Sequence, residues 1–488
     1  MQRKYVIALD EGTTSARAAV FDLEEKRIVR IARRELPLLF PKEGWVEEDA
    51  ELLFEKQKEA LIEAYRSLPK GSVLSVAVTN QRETVVLWDR RTGQPVWSAI
   101  VWQCRRTKEL CAYLGETYGD VIRKKTGLVA DPYFSASKIK WVIDNVPRAK
   151  TLLAEGNLCA GTIDTYLIFR LTEGKSFVTD VTNASRTMLM NLKEREWDDD
   201  MISLFRLKRE ILPRILPSDA IAGRILLDGE EIPVCGVVGD QQAALVGQAC
   251  FGEGMTKVTY GTGLFMLYQT GEKMVESASG VTTAAYALGD KCYYALEGSV
   301  FHAGSAVQWI RDNLGLVSSA KETEALAREV GDTCGVYFVP AFTGLGAPHW
   351  NSECRGMICG LTRGADKRHI VRAVLESMAY SVKDLSDLME KDSGIRLKEL
   401  RCDGGASANN FLMQFQADIS GCTINRPKEV ESTALGAALL SCHGLGVMDE
   451  KQMASVRQED AVFQPKMARP VAEELYFGWQ KAVNRCLF

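Results

Sequence analysis

The residues with the clearest chemical potential lie near the start of the chain, in a turn between two apolar runs. Asp10 ends the first run, Arg17 lies in the second, and the turn between them holds Gly12, Thr13, Thr14 and Ser15. Backbone N–H groups that converge on such a turn bind phosphate, and a nearby carboxylate can hold the Mg²⁺ that accompanies it. The flanking runs predict a β-hairpin. An ordinary N-terminal hairpin has the same pattern, so this segment alone leaves both interpretations open.

A second turn of the same kind lies far downstream. A predicted strand over residues 256–259 leads into Tyr260-Gly261-Thr262-Gly263, and another predicted strand starts at Leu264. A repeat at this distance, roughly 250 residues, is too long for a solenoid and suits two similar half-molecules. The sequence therefore predicts two phosphate-binding hairpins, one in each half of the chain.

Polar residues follow two further buried strands at the point where each strand ends. One apolar run, residues 232–239, stops at Asp240, before a predicted helix over residues 243–250. Another, residues 73–79, stops at the polar run 80–84. In α/β sheets, ligands bind at the carboxyl ends of the strands. Asp240 is therefore a candidate catalytic carboxylate, and a helix cap is the simpler alternative for it.

The composition is that of an ordinary globular protein that is large enough for two domains. The chain has 488 residues, whereas single hydrophobic cores stop growing at about 250–300. Its hydrophobic fraction of 46% and charged fraction of 25% are typical of such proteins. We place the boundary at the turn around Gly252, which divides the chain into domains 1–250 and 251–488.

Charge and hydropathy exclude several classes of partner. The formal net charge of −4 provides no basic field for nucleic acid or an anionic membrane. No apolar run approaches the ~18–20 residues of a membrane-spanning helix, and no secretory leader precedes the first strand. The 13 cysteines are scattered, without a Cys-x-x-Cys pair, as in reduced proteins. We therefore expect a cytoplasmic protein with no nucleic-acid partner and no membrane insertion.

Carboxylates and phosphate-binding turns remain as the source of chemistry. The 4 histidines are too widely spaced for a zinc site or a histidine-based triad. Gly174-Lys175-Ser176 ends like a Walker A motif, but Phe169 occupies the position of its first glycine, and no Gly-x-Gly-x-x-Gly follows the first strand. Together with a Gly404-Gly405 turn, the two hairpins resemble the actin/hexokinase/RNase-H-like nucleotide fold. The expected fold class is α/β, with two such domains and a nucleotide cleft between them.

Several short motifs resemble the FGGY family of carbohydrate kinases and, within that family, the glycerol kinases. They are Asp10-x-Gly12-Thr13-Thr14-Ser15, Asn80-Gln81-Arg82-Glu83-Thr84, Trp102-Gln103-Cys104-Arg105-Arg106, Asp131-Pro132-Tyr133, Gly239-Asp240-Gln241-Gln242, Tyr260-Gly261-Thr262-Gly263 and Asp403-Gly404-Gly405-Ala406-x-Ala408-Asn409-Asn410. The likeness runs from Lys4 to about Gly446. Arg82-Glu83 and the Trp102 motif are specific to the glycerol kinases, whereas the Asp-x-Gly-Thr turn is shared across the family.

The resemblance implies ATP-dependent phosphorylation of glycerol, with Asp240 as the general base. The implied substrate-binding residues are Arg82, Glu83, Trp102, Tyr133, Asp240, Gln241 and Phe265, with glycerol lying between Trp102 and Phe265. The implied ATP contacts are Thr13, Thr14, Ser15, Arg17, Thr262, Gly304, Gln308, Gly405 and Asn409. Mg²⁺ is expected near Asp10 and Asp240, partly through water. A homodimer or homotetramer is the implied assembly.

Other interpretations stay open at this stage. A kinase of the same family that acts on another polyol or sugar, such as erythritol or a pentulose, shares most of these motifs, and so does a nucleotide-binding regulator without turnover. Read without the family, Trp102 and Phe265 are typical core residues, Gln308 is a solvent-facing helix residue, and Arg82 with Glu83 is a surface ion pair.

Two departures from the family pattern bear on function. Glu11 stands where the glycerol kinases usually carry Gln, and a carboxylate there would repel ATP unless it points away or helps to hold Mg²⁺. Residues 227–231 contain three acids and lack the Gly/Arg loop through which some relatives bind fructose 1,6-bisphosphate, and residues 227–233 contain no histidine for phosphorylation. We therefore do not expect either form of regulation.

Overall fold

Two mixed β-sheets, each flanked by helices, organise the chain. The computed structural model describes residues 3–277, 279–351 and 353–487. The strands of the first half are β1 (Tyr5–Glu11), β2 (Ser15–Asp22), β3 (Arg27–Glu35), β4 (Glu47–Glu48), β5 (Val73–Asn80), β6 (Val85–Asp89), β7 (Ala99–Ile100), β8 (Leu158–Thr162), β9 (Val178–Asp180), β10 (Met190–Asn191), β11 (Glu196–Trp197), β12 (Arg214–Leu216), β13 (Ile221–Leu227) and β14 (Glu230–Gly239). Its helices are α1 (Ala50–Arg66), α2 (Lys108–Thr126), α3 (Ser135–Asn145), α4 (Pro147–Ala154), α5 (Ile163–Leu171), α6 (Val181–Ala184), α7 (Asp199–Leu204) and α8 (Asp240–Gly247).

The second half has the same alternation of strands and helices. Its strands are β15 (Met255–Tyr260), β16 (Leu264–Gly271), β17 (Val281–Leu288), β18 (Lys291–Val300), β19 (Tyr337–Val339), β20 (Met357–Cys359), β21 (Glu399–Asp403), β22 (Thr423–Pro427) and β23 (Glu459–Phe463). Its helices are α9 (Gly304–Asp312), α10 (Glu322–Arg328), α11 (Lys367–Ser393), α12 (Asn410–Ser420), α13 (Ser432–Gly444), α14 (Glu450–Val456) and α15 (Arg469–Cys486). Single 3₁₀ turns cover Arg209–Ile211 and Gly405–Ala408.

The two large sheets have matching strand orders. In the first the order is β13-β14-β5-β1-β2-β3, where β1 pairs antiparallel with β2 and parallel with β5. In the second the order is β17-β18-β16-β15-β21-β22-β23, where β15 pairs antiparallel with β16 and parallel with β21. Strand β15 thus occupies the position of β1, and each is followed by one of the predicted turns. The duplication expected from the two hairpins is confirmed.

Most of the predicted helices and strands are present, and the differences follow from tertiary packing. Asp49 caps α1, because its side chain accepts from two N–H groups of the first turn. Helix α8 begins at Asp240 itself rather than at Ala243, and Gly239 is its N-cap. The last part of the chain, which has only a weak sequence pattern, forms α14, β23 and α15, and β23 pairs with β22. No helix of the described residues is long and apolar enough to cross a membrane.

The acidic segment at residues 227–231 forms a tight hairpin turn. Only Asp228 and Gly229 separate β13 from β14, and both have positive φ, as a two-residue turn of this kind requires. The Asp228 carboxylate contacts Arg66 at 3.2 Å, and Glu230 Oε2 accepts from the Tyr65 hydroxyl at 3.1 Å. The acids of this turn contact neighbouring side chains, and the expectation that the turn binds no phosphorylated sugar stays a prediction.

Helices α8 and α13 join the two halves. They share one apolar core with strands of both sheets, including Val6 and Phe21 from the first sheet and Leu267 from the second. The two helices approach so closely that a methyl group on Gly436 would overlap the carbonyl oxygen of Ala243. The division at residue 250 stays a prediction, and the chain crosses between the two sheets just after α8.

The close approach of α8 and α13 predicts that Gly436→Ala is destabilising. Overpacking of this kind costs about 1–3 kcal/mol, and we expect at least that loss in the free energy of unfolding, measured by denaturant titration. Gly119→Ala in α2 is the matched control, because no atom lies within 4 Å of the added methyl group. That control should be neutral or stabilised by about 0.5–1 kcal/mol. Equal unfolding midpoints for wild type and Gly436→Ala would contradict the packing argument.

Candidate active site

The first turn brings a buried carboxylate and an arginine together. The register of β1 and β2 sets Asp10 opposite Arg17, and the guanidinium contacts Asp10 Oδ2 at 3.0 Å and Glu431 Oε2 at 2.9 Å. Burial raises the pKa of Asp10 to about 6; Arg17 opposes that rise, whereas Glu431 and Asp240 add to it. Asp10 therefore lies within electrostatic reach of Asp240, although the two residues belong to different strand ends.

The tip of the same turn connects the predicted phosphate site to the predicted substrate site. Thr14 is exposed, Thr13 is half-buried and Ser15 is buried. The Thr13 hydroxyl accepts from the indole Nε1 of Trp102 at 3.0 Å and donates to Gln81 Oε1 at 3.3 Å. Thr13 therefore holds the turn against the pocket wall, and Thr14 leaves its hydroxyl open to a ligand.

Glu11 points away from the phosphate turn. Successive side chains of a strand face opposite sides, so Glu11 lies on the face of β1 opposite to Asp10, where it is fully buried. Burial and the nearby Glu48 raise its pKa well above the usual range, and burial raises the pKa of Glu48 to about 8, although a hydrogen bond from Gln81 opposes that rise. Carboxyl groups with raised pKa values in this setting stay protonated, so Glu11 adds no free carboxylate to the turn.

The second turn is supported by the helix that follows it in space. Gly304 N–H, at the start of α9, donates to the Gly261 carbonyl at 3.0 Å, and the N–H groups of Ala303 and Ser305 donate to the Thr262 carbonyl. A side chain on Gly304 would meet the Gly261 oxygen at 2.5 Å, which requires glycine there. The turn and the start of α9 therefore form one rigid unit.

The predicted adenine-side residues lie at the edge of the second domain. Gly405 is exposed, with no atom within 4 Å of an added methyl group, so the backbone there is open to a flat ligand. Asn409 caps α12 through Leu412 N–H at 3.0 Å and donates to Thr323 Oγ1 at 3.3 Å. Gln308 is exposed on α9. Their roles in binding ATP stay predictions.

A buried network of four charged side chains forms the floor of the predicted substrate pocket. Arg82 donates from both terminal nitrogens to Glu297, at 2.5 and 3.0 Å. Arg186 donates to Glu83 at 2.6 Å and to Glu297 at 2.9 Å. No side chain of the four is more than 2% exposed. Burial alone would raise the pKa of Glu297, but Arg186 and Arg82 hold it at about 2.

Asp240 is the accessible carboxylate above this network. Its side chain is 30% exposed, and Oδ1 lies 3.3 Å from the Nε of Arg82. The N–H of Gln241 donates to the same oxygen at 2.7 Å, which aims the carboxylate from the first turn of α8. Arg82 is thus held by Glu297 on one side and faces Asp240 on the other, and the surface ion pair considered for Arg82 and Glu83 is wrong because both residues are buried.

Three aromatic rings line the pocket, and they come from both halves of the chain. The Trp102 and Phe265 ring centroids are 6.3 Å apart with an interplanar angle of 81°, and Trp102 and Tyr133 are 5.6 Å apart at 75°. The Tyr133 hydroxyl accepts from Arg82 at 3.4 Å. All three aromatic residues are partly exposed rather than core residues. The rings are close to perpendicular, so one of the predicted pair offers its face and the other its edge.

Three charged residues of this site are not among those predicted from the sequence: Glu297, Arg186 and Lys257. Lys257 is fully buried, and its Nζ donates to Gln241 Oε1 at 2.5 Å. Glu297 and Lys257 each stand inside a strand, β18 and β15, and a charge in the interior of a strand is the sequence signal that could have identified them. Glu297 contacts Arg82 and Arg186, and Lys257 contacts Gln241, all in the other half of the chain, so the sequence does not reveal these contacts.

The carboxylates suit a magnesium ion that arrives with a nucleotide rather than a permanent metal centre. Among the described residues, no group of three or more His, Cys, Asp or Glu side chains could hold a metal ion by itself. Mg²⁺ commonly uses one or two carboxylates together with waters and substrate phosphates. Asp10 and Asp240 are the candidates for that role, because Asp240 is near enough to add to the rise in the pKa of Asp10.

Comparison with known proteins gives a consistent result over the whole chain. Residues 5–247 match the N-terminal domain of the FGGY family of carbohydrate kinases, and residues 256–445 match its C-terminal domain. Glycerol kinase 2 of Thermotoga maritima is 50% identical over 99% of this chain and 99% of its own length. The glycerol kinase of Shewanella frigidimarina is 50% identical over 99% of this chain and 98% of its own.

Solved structures agree with the sequence relatives. Plasmodium falciparum glycerol kinase with ADP superimposes with a TM-score of 0.94 at 39% identity, over 100% of this chain and 99% of that one. A ligand-bound xylulose kinase from Lactobacillus acidophilus has a TM-score of 0.89 at 24% identity, over 99% of this chain and 98% of its own. The second match speaks for the fold alone.

The four-charge network predicts that Glu297→Gln is strongly destabilising. The change leaves two buried guanidiniums with too little compensating charge, and breaking a buried ion pair in this way costs about 3–5 kcal/mol. Adding Arg186→Met should recover part of that free energy of unfolding, because it removes one of the uncompensated charges. Glu25→Gln is the surface control: its partner Arg27 is exposed, so we expect a change of at most about 1 kcal/mol. A double variant less stable than Glu297→Gln alone would contradict the network.

The buried pair of Glu11 and Glu48 predicts a pH-dependent effect of Glu11→Gln. Glu11 keeps its proton in the folded protein, whereas an unfolded glutamate, with a pKa near 4.5, releases it. The stability that the folded protein gains from holding this proton is therefore complete at low pH and is lost as the pH rises towards 8. The melting temperature of Glu11→Gln should therefore match wild type near pH 5 and exceed it at pH 8. Glu48→Gln should show the same trend. A constant offset at all pH values would argue against a protonated Glu11 in the folded protein.

Proposed function

The chain belongs to the FGGY family of carbohydrate kinases, and we propose that it transfers the γ-phosphoryl group of ATP to a primary hydroxyl of glycerol, giving ADP and sn-glycerol 3-phosphate. The observation that carries this proposal is the position of Asp240: a partly exposed carboxylate, 3.3 Å from the buried Arg82 and within reach of Asp10. The glycerol kinases that are 50% identical over nearly the whole chain support the choice of substrate.

Glycerol binding is assigned to the residues around Asp240. Arg82, Glu83, Tyr133 and Gln241 supply hydrogen bonds for the three hydroxyls, and Trp102 and Phe265 pack against the carbon backbone. Because Arg82 and Glu83 are buried and held in place by their ion pairs, a substrate that lacks a hydroxyl loses a hydrogen bond to a fixed polar group, which discriminates against it. The pocket takes one wall from each half of the chain, since Phe265 lies in β16 and Trp102 in the first half.

Asp240 is assigned as the general base. Its carboxylate lies 3.3 Å from the Nε of the buried Arg82 and is partly exposed, so a substrate hydroxyl can reach it. The backbone N–H of Gln241 orients the Oδ1 atom, so the carboxylate is fixed before the substrate binds. The base accepts the proton of the attacking hydroxyl as the phosphoryl group moves in line.

ATP is assigned to the two turns and the edge of the second domain. Thr13, Thr14, Ser15 and Arg17 would contact the phosphates from one side, and Thr262 and Gly304 from the other. Gln308, Gly405 and Asn409 would border the adenosine. Mg²⁺, held near Asp10 and Asp240, would neutralise charge on the phosphates. Cytoplasmic location and a homodimeric or homotetrameric assembly stay predictions from the family resemblance.

A coupled assay for ADP release tests the substrate assignment. The purified protein with MgATP is offered glycerol, erythritol and xylulose in turn, with a no-substrate blank. The proposal expects turnover with glycerol well above the other two. A preference for the longer polyol or the pentulose would make the chain a different kinase of the same family. ATP binding without ADP release on any of them would make it a nucleotide-binding regulator.

The assignment of the base predicts the behaviour of Asp240→Asn. The amide cannot accept the proton, and loss of a positioned general base lowers kcat by about 10²–10⁴-fold. The melting temperature should change little, because a partly exposed side chain is replaced by one of the same shape. Normal turnover by this variant would exclude Asp240 as the base while leaving the substrate assignment intact.

A further inference from the structure

Lys257 is a buried cation that reaches from the second sheet to the substrate pocket, and the reaction described above does not use it. It lies in β15 and is fully buried. Its Nζ donates to Gln241 Oε1 at 2.5 Å and to Thr259 Oγ1 at 2.9 Å. Thr259 is two residues further along the same strand, so both side chains face the same side of the sheet, the side turned towards α8.

The side-chain amide of Gln241 is held between a group that only donates and a group that only accepts. An ammonium has no acceptor, so the atom 2.5 Å from Lys257 Nζ has to be the amide oxygen. At the other end the amide Nε2 lies 3.4 Å from Asp240 Oδ2, and an ionised carboxylate only accepts. Both neighbours give the same assignment. A flipped amide would place its NH₂ group against the Lys257 ammonium and its oxygen against the Asp240 carboxylate.

The hydrogen bonds around Lys257 run outward from it in two directions. In one direction, Lys257 donates to Thr259, and the Thr259 hydroxyl donates to Asp403 Oδ1 at 2.5 Å. In the other, Lys257 donates to Gln241, whose amide nitrogen faces Asp240. A carboxylate ends the chain on both sides. Because Lys257 can only donate, it determines the direction of every hydrogen bond in both chains.

We propose that Lys257 is a positioning residue that locks Gln241 as a hydrogen-bond donor towards a glycerol hydroxyl beside Asp240. The amide NH₂ carries two hydrogens; one faces Asp240, and the other has no protein acceptor among the described residues. A hydroxyl that accepts from Gln241 keeps its own hydrogen for Asp240. This inference rests on the proposed function, in which Gln241 binds glycerol. It assigns the direction of that hydrogen bond and the residue that sets it.

A double-mutant cycle between Lys257 and Gln241 tests the proposal. Lys257→Met keeps most of the volume of the side chain and removes the donors. It should raise the KM for glycerol by about tenfold or more, the usual effect of losing a charge-assisted hydrogen bond, and leave the KM for ATP within about twofold. In a Gln241→Ala background the same change should lower kcat/KM for glycerol by less than about twofold further, because its target is already absent.

Gln241→Glu provides an independent test that leaves Lys257 in place. The carboxylate still accepts from Lys257 but has no N–H for the substrate, so its KM for glycerol should rise at least as much as that of Gln241→Ala. A near-normal KM would overturn the proposal. Additive losses in the cycle would also overturn it, since a purely structural lysine costs the same with or without the Gln241 amide. Wild-type protein that releases no ADP with glycerol in the same assay would instead overturn the proposed function, and the inference with it.

Discussion

The bidentate ion pair between Arg82 and Glu297 holds the rest of the site in place. Arg82 lies at the end of a strand in the first sheet, Glu297 lies inside a strand of the second, and neither is exposed to water beyond 2%. A buried charge without a partner is costly, so each half of the chain needs the other at this point. Arg186 and Glu83 complete the balance of charge. Because Glu297 holds the terminal nitrogens of Arg82, the Nε atom of Arg82 faces Asp240. The candidate base therefore has a fixed cationic neighbour.

The duplicated fold uses its two copies differently around this ion pair. The first sheet presents the ends of its strands, at Asp10, Arg82 and Asp240. The second presents one face: Lys257, Leu267 and Glu297 lie in a row across β15, β16 and β18, and Thr259 and Phe265 lie in the next row. Directly opposed residues of neighbouring strands share a face, so strand register alone brings these side chains together. The strand ends of the first sheet therefore face the flat side of the second sheet. This difference allows two similar domains to enclose one asymmetric pocket.

Three buried carboxylates show how surroundings decide the state of one kind of group. Two guanidiniums hold the pKa of Glu297 at about 2, despite its burial. Arg17 only partly offsets the burial of Asp10, whose pKa rises to about 6. Glu11 has another acid, Glu48, beside it, and its pKa rises well above the usual range. The residue that looked out of place in a phosphate turn is therefore a neutral group beneath it, and the charge that faces a ligand comes from Asp10 and Asp240.

Local sequence patterns were enough to predict the features that arise from neighbouring residues, namely both hairpin turns and the polar ends of the strands. The candidate site residues came from motif resemblance, and their roles stay predictions. Turns, caps and strand ends depend on a few consecutive residues, so they can be predicted from the sequence. Other features depend on tertiary packing: α8 starts at Asp240, Trp102 and Phe265 meet edge to face, and Glu11 is buried near Glu48. Packing also brings Glu297 and Lys257 to the candidate site. Arg82 and Glu297 are 215 residues apart, and a contact at that separation is set by sheet register and domain packing, which no local pattern encodes.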